Sequence, residues 1–261
     1  MKKLLCIFIV ISFANCKSTS SSRVKILGEY LEKDILPKQA CRLQYYDKRK
    51  RPLHICSATL ISPMHILTAA HCEEDPNVVA TQVICNNGEA RIKAKRLVHR
   101  FYRPGKPEFD LAVLTLDKPI DLEPMRLVHS KEETWELLKM HYELRRQKKT
   151  GNCAIIGWGF DNTGKYGNIH GAEAIFDSFQ SFKHEENFER MVAILERNKA
   201  FEGDSGGFLG CLDNKNKWAQ IGVLIRAKNI LSTNSAAELI YSHVDWLKSI
   251  FEPKPNQDMQ N

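Results

Sequence analysis

Short apolar runs separated by polar punctuation dominate the chain. "HICSATLI" from His54, "HILTAA", "VVATQVIC", "ARIKAKRLV", "LAVLTL", "CAIIGWG", "AEAIFDSF" and "WAQIGVLI" each have the length and residue types of a strand. Many short strands at this spacing imply an all-β barrel or sandwich architecture. Two stretches carry the helical period instead. "SKEETWELLKMHYELRRQKK" opens at Ser130 with a capping box closed by Glu133. Trp135, Leu138 and Tyr142 share one face of this helix, with Leu137, His141 and Leu144 beside them. Basic residues crowd its C-terminal end, where the helix dipole favours them. It lies between the two halves of the strand pattern, so it is expected in the connection between two domains, over residues 130–149. A second helix, "IYSHVDWLKSIF", follows the last strands, and residues 252–261 read as a loose tail.

The N-terminal stretch departs from this pattern. "MKKLLCIFIVISFANC" runs from two lysines through an apolar segment to small residues, the order of a secretory signal peptide over residues 1–16. It is too short to span a bilayer and stay there, and no later segment is apolar for long enough. Residues 17–25, "KSTSSSRVK", read as a short pro-segment. The formal charge of +7 is concentrated in this leader: Lys2, Lys3, Lys17, Arg23 and Lys25 stand there without an acid. The rest of the chain is close to neutral and shows no electrostatic footprint for nucleic acid. With 261 residues, 43% of them hydrophobic, a large globular core is available.

Of eight cysteines, six lie beyond the leader: Cys41, Cys56, Cys72, Cys85, Cys153 and Cys211. An even number in a secreted chain implies disulfides. No Cys-x-x-Cys pair occurs and the histidines have no ligand spacing, so neither a metal nor a cofactor is expected.

The candidate chemistry sits in "FEGDSGGFLGC", residues 201–211, where an acid and a serine stand among three glycines. A serine hydroxyl is a poor nucleophile until a neighbouring base takes its proton. The usual base is a histidine held in one tautomer by an acid. "LTAAHC" offers His71 at the end of an apolar strand, and "FDLAVLTL" offers Asp110 at the head of another. In order, "LTAAHC", "FDLAVL", "CAIIGWG" and "GDSGG" resemble the signature segments of the trypsin-like serine proteases, a resemblance covering roughly residues 26 to 251. "LISPMHILTAAHC" is most similar to secreted nematode members of that family.

The resemblance implies a chymotrypsin-like fold: two six-stranded antiparallel Greek-key barrels, a C-terminal helix and, here, the extra interdomain helix. Residues 26–150 would form the first barrel and the connection, and residues 151–251 the second barrel with its helix. It implies that Ser205 attacks a peptide carbonyl, that His71 takes its proton, and that Asp110 orients the imidazole. The N–H groups of Gly203 and Ser205 would form the oxyanion hole. Cleavage after Lys25 would free the ammonium of Ile26 to pair with Asp204 and order that hole. Cys56–Cys72 and Cys153–Cys211 match family bridges, and the remaining Cys41 and Cys85 would form a third.

The specificity pocket departs from the family pattern. Lys199 stands where an aspartate selects lysine and arginine substrates. Ile225-Arg226-Ala227 stands where the family reads Ser-Trp-Gly, and Ser235 replaces a wall glycine. Ala227 and Ser235 would narrow the pocket, and Lys199 and Arg226 would make its surroundings positive: with Lys199 pointing in, acidic side chains would be preferred, and with Lys199 bent out to solvent, small or medium apolar ones. The resemblance therefore implies a secreted, extracellular endopeptidase of non-tryptic specificity. Its partners would be a protein or peptide substrate, an activating protease and a protein inhibitor, with no nucleic acid and no membrane after signal removal. The altered segment motivates the alternative, a protease-fold binding or regulatory module that is catalytically weak or inactive.

Overall fold

A computed structural model describes residues 31, 33–86, 88–160, 167–176, 191–194, 202–226 and 235–251. The leader, the pro-segment and the tail lie outside these residues. The first half forms six strands: β1 (Ala40–Tyr46), β2 (Pro52–Ser62), β3 (His65–Thr68), β4 (Ala80–Cys85), β5 (Gly88–Val98) and β6 (Ala112–Leu116). They close into an antiparallel barrel in the order β1-β2-β3-β6-β5-β4. Period-two burial explains the closure. In β1, Cys41, Leu43 and Tyr45 point inward and are fully buried, while Arg42, Gln44 and Tyr46 alternate outward. They meet Leu60, Ile66, Leu114 and Leu116 in one core. Each such leucine or isoleucine contributes about 1.5–3 kcal/mol when fully buried.

The second half forms β7 (Cys153–Gly157), β8 (His170–Glu173), β9 (Met191–Ile194), β10 (Phe208–Leu212), β11 (Trp218–Arg226) and β12 (Ser235–Leu239). These pair in the order β8-β7-β10-β11-β12-β9, with β8 and β9 at the edges among the described residues. The expected second barrel is thus seen as a six-stranded sheet. Of the strand expected over "AEAIFDSF", residues 177–179 lie outside the described residues, and β8 itself starts earlier and ends at Glu173, with Ala174 N–H donating to Cys153 O.

The disulfides follow from the register. Cys41 lies opposite Cys85 on β1 and β4, and Cys153 lies opposite Cys211 on β7 and β10. Their Cα atoms are 4.2 Å and 3.9 Å apart, and both pairs are bonded. Cys56 of β2 is bonded to Cys72 in the 3-10 turn Ala70–Glu73.

Helix α1 (Lys131–Arg146) starts as expected, with Glu133 N–H donating to Ser130 Oγ at 3.0 Å. The Glu133 carboxylate turns to Arg126. The buried stripe keeps Leu137, Leu138 and His141 of the expected face, adds Thr134 and leaves out Tyr142. Thr134, Leu137, Leu138 and His141 face the second sheet, and Tyr142 is 46% exposed. Its polar members are hydrogen-bonded: Thr134 Oγ–H donates to Ser130 O at 2.9 Å, and His141 Nδ1 accepts Cys153 N–H at 3.0 Å. The closing turn Ile240–His243 leads into α2 (Val244–Phe251). Leu247 of α2 packs with Leu67 and Val113 of the barrel and Val223 of the sheet. The two halves therefore share an apolar seam, and the loops that end their strands meet along it.

Candidate active site

β3 and β6 run antiparallel, with Thr68 opposite Ala112. Residues just past Thr68 and just before Ala112 must emerge at the same end of the barrel. There, His71 Nδ1–H donates to Asp110 Oδ2 at 2.6 Å, and His71 N–H donates to Asp110 Oδ1 at 2.8 Å. The carboxylate is 2% exposed, so it is spent on one residue and screened from water. Its bond to Nδ1 puts the neutral imidazole in the tautomer whose Nε2 is free to accept a proton.

The approach to Asp110 is held from behind. Phe109 has φ +61°, a conformation costly for a side chain with a Cβ. Its carbonyl accepts Leu111 N–H at 2.8 Å, its ring stacks on His99, and its N–H reaches Glu238 Oε1 on β12 at 3.3 Å. Glu238 is fully buried and accepts from His243 Nε2–H at 2.7 Å.

Ser205 lies just before β10, half-buried, in the same cleft of about 300 Å³ as His71 and Asp110. The glycines around it are required by geometry. At Gly206, with φ +80°, an added Cβ would stand 2.1 Å from Thr68 Oγ1 and 2.3 Å from Ser57 O. Gly203 has φ +93°, and a Cβ there would stand 2.8 Å from Gly159 Cα. Only glycine fits both the conformation and the space.

The carbonyls of residues 202–205 are each tied to a donor. Glu202 O accepts Phe160 N–H at 3.2 Å, and Gly203 O accepts Ser57 Oγ–H at 2.9 Å. Asp204 O accepts Gly207 N–H and Ser205 O accepts Ser57 N–H, each at 2.8 Å. A peptide plane carries its N–H opposite its C=O. Tying back Glu202 O therefore aims Gly203 N–H the other way. Neither Gly203 N–H nor Ser205 N–H bonds to an acceptor among the described residues.

Asp204 is buried beneath the loop. Its Oδ1 accepts Gly159 N–H at 2.8 Å, and His170 Nε2 stands 3.2 Å away. Gly157 and Gly159 leave it room: a Cβ on Gly157 would come within 2.1 Å of Oδ1.

Of the remaining residues singled out in the sequence, Ile26, Lys199 and Ala227 lie outside the described residues. The backbones of Arg226 and Ser235 pair with each other at the ends of β11 and β12. Sequence reasoning missed Ser57, Glu238 and the Tyr102–Glu74 pair on the cleft wall, bonded at 2.5 Å. Burial raises the Tyr102 phenol, and the Glu74 carboxylate raises it further. The one signal available for Ser57 was a polar residue inside the apolar run "HICSATLI".

A closed barrel and a six-stranded sheet meeting at a cleft that holds a serine and a histidine bonded to a buried aspartate define a chymotrypsin-like protein. The sequence matches the Trypsin family over residues 37–247, so the chain belongs to that family, whose members are serine endopeptidases. It is 28% identical to a trypsin of Simulium vittatum over 214 residues, 76% of this chain and 81% of the relative. It is 27% identical to a lectizyme of Glossina austeni over 124 residues. That match covers 44% of each chain, so the chain spans less than half of the lectizyme's length. Among solved structures, HL collagenase superposes with a TM-score of 0.65 at 20% identity, covering 88% of this chain and all of the collagenase. That last likeness is one of fold.

Proposed function

We propose that the chain is a secreted serine endopeptidase working through an acyl-enzyme. The observation that carries the reading is the 2.6 Å bond from His71 Nδ1 to a buried Asp110, in the cleft that also holds Ser205. Nε2 of His71 takes the Ser205 proton as Oγ attacks the substrate carbonyl. The developing oxyanion is met by the N–H groups of Gly203 and Ser205, where loss of one such donor costs about 3–4 kcal/mol. His71 then protonates the leaving amine, and water repeats the sequence to release the acid. Asp110 stabilises the imidazolium at each stage.

Secretion is supported by three disulfides, which persist in oxidising compartments, and by the signal-like leader. Among the described residues no helix is long and apolar enough to cross a membrane. Activation by cleavage after Lys25 is supported by Asp204. A buried carboxylate beside Gly159 N–H and His170 is a site that a freed Ile26 ammonium can enter. Such a cut would work as a two-state switch. Non-tryptic specificity rests on the sequence alone: Lys199 stands where the family's aspartate would be, and Ala227 and Ser235 would narrow the pocket. Its substrates would be proteins or peptides, and its regulators an activating protease and a protein inhibitor.

The test is hydrolysis of a peptide library by the chain cut after Lys25, run beside Ser205→Ala. Cleavage that disappears in the variant is expected. Cleavage that persists in the variant, or none by the cut wild type, defeats the reading. The second of those results favours a binding or regulatory module.

A further inference from the structure

We infer that Ser57 of β2 is a positioning residue for the oxyanion-binding loop, fixing the Gly203–Asp204 and Ser205–Gly206 peptides, each adjoining a peptide that carries an oxyanion donor, through its hydroxyl and its own backbone. The inference rests on the reading of Ser205 as nucleophile.

β2 is buried on both faces along its middle. Cys56, Ala58 and Leu60 enter the barrel core. Alternation therefore turns Ser57 to the opposite face, toward the second sheet. It is 1% exposed, so water has little access to replace what it holds. Every polar atom of Ser57 is engaged. Oγ–H donates to Gly203 O at 2.9 Å, while Oγ accepts Trp158 N–H at 2.9 Å. Its N–H donates to Ser205 O at 2.8 Å, and its carbonyl accepts Thr68 Oγ–H at 2.7 Å. One residue thus joins the loop carrying the nucleophile, the end of β7 and the strand leading to His71.

Only a hydroxyl can do this in so small a space, because it donates and accepts at once. Its bond to Gly203 O matters most. Gly203 has φ +93° and no side chain, so nothing within the residue itself holds its conformation. With Glu202 O tied to Phe160 N–H and Gly203 O tied to Ser57, the planes on both sides of Gly203 are set. With Asp204 O tied to Gly207 N–H and Ser205 O tied to Ser57 N–H, the planes on both sides of Ser205 are set too, and both oxyanion donors are aimed before substrate arrives. Preorganisation of that kind acts on the transition state and leaves ground-state binding alone.

The test compares Ser57→Ala, which removes only the hydroxyl, with Ser57→Thr, which keeps it. Both are cut after Lys25, and active sites are counted with a fluorophosphonate. The substrate is the best peptide from the library, also prepared as its aldehyde, which forms an oxyanion on binding. Ser57→Ala is expected to lose at least about tenfold in kcat per titrated site, with KM changed less than about twofold. Aldehyde affinity should fall in proportion to kcat, and the pH at which kcat is half-maximal should not move. Ser57→Thr should keep most of the activity. If the alanine variant does not fold, Ser57→Gly, which also lacks the hydroxyl, is expected to show the same losses. A kcat per site within about twofold of wild type in the hydroxyl-free variant overturns the inference, as does a fall in kcat with aldehyde affinity unchanged. Failure of the wild-type protein to label overturns the nucleophile reading, and this inference with it.

Discussion

His141 should make the protein labile in acid. It lies on the buried face of α1, 3% exposed, with Nδ1 accepting Cys153 N–H at 3.0 Å. The fit is tight: a Cβ on Gly151 would stand 2.0 Å from His141 Cε1. Burial disfavours the imidazolium, and the nearby Arg145 guanidinium repels it. Together they lower the pKa from 6.5 to about 4. Between these values the unfolded chain holds a proton that the folded chain does not, so acid favours unfolding. The effect is absent above about pH 7, grows as pH falls, and is complete near pH 4. At about 1.4 kcal/mol per pH unit it amounts to about 3 kcal/mol, a large part of a typical domain's stability. His141→Gln keeps an acceptor for Cys153 N–H and removes the titration. Urea unfolding under non-reducing conditions, followed from pH 7 to pH 4, should show wild type losing about 3 kcal/mol more than the variant. Parallel curves, within about 0.5 kcal/mol, would show that protonation of His141 is not coupled to unfolding.

Three further outcomes are expected. Asp110→Asn offers His71 Nδ1 an amide donor in place of a carboxylate, favouring the wrong tautomer, so kcat should fall by about 10⁴; a loss under tenfold, measured on the cut chain, contradicts the role given to Asp110. The chain still joined at Lys25–Ile26 should be inactive on library peptides, and Asp204→Asn should leave the cut chain weaker by on the order of a hundredfold; full activity of the uncut chain contradicts the switch. Substrate profiling should find no efficient cleavage after lysine or arginine, since a like charge at Lys199 costs several kcal/mol, and Lys199→Asp should bring such cleavage in; efficient tryptic cleavage by the wild type refutes the pocket assignment.

Legibility in the sequence followed the physics of each element. Strands buried on both faces, such as β2 and β7, announce themselves as apolar runs. β1 is hard to read in the sequence because its outward positions are Arg42, Gln44 and Tyr46, and its inward ones begin with a cysteine. β12 is hidden in the sequence because "SAAEL" has helical propensity; tertiary pairing with β11 overrides it and buries Glu238 against His243. The stripe on α1 is legible at Leu137, Leu138 and His141 but not at Thr134, a polar residue that buries through a hydrogen bond to Ser130 O. The nucleophile loop was readable because its glycines answer local constraints of φ and space. Ser57 and Glu238 were not, because their partners lie 146 and 129 residues away in the chain. Only the fold brings those groups together.

The central claim is that Ser205 is a nucleophile activated by His71. The most direct measurement exposes the chain cut after Lys25 to a fluorophosphonate and maps the adduct by mass spectrometry, beside His71→Ala. A single adduct on Ser205, formed at least about a thousandfold more slowly in the histidine variant, is the expected result. A cut, folded chain that takes up no label, or labels at the same rate without His71, would contradict the account.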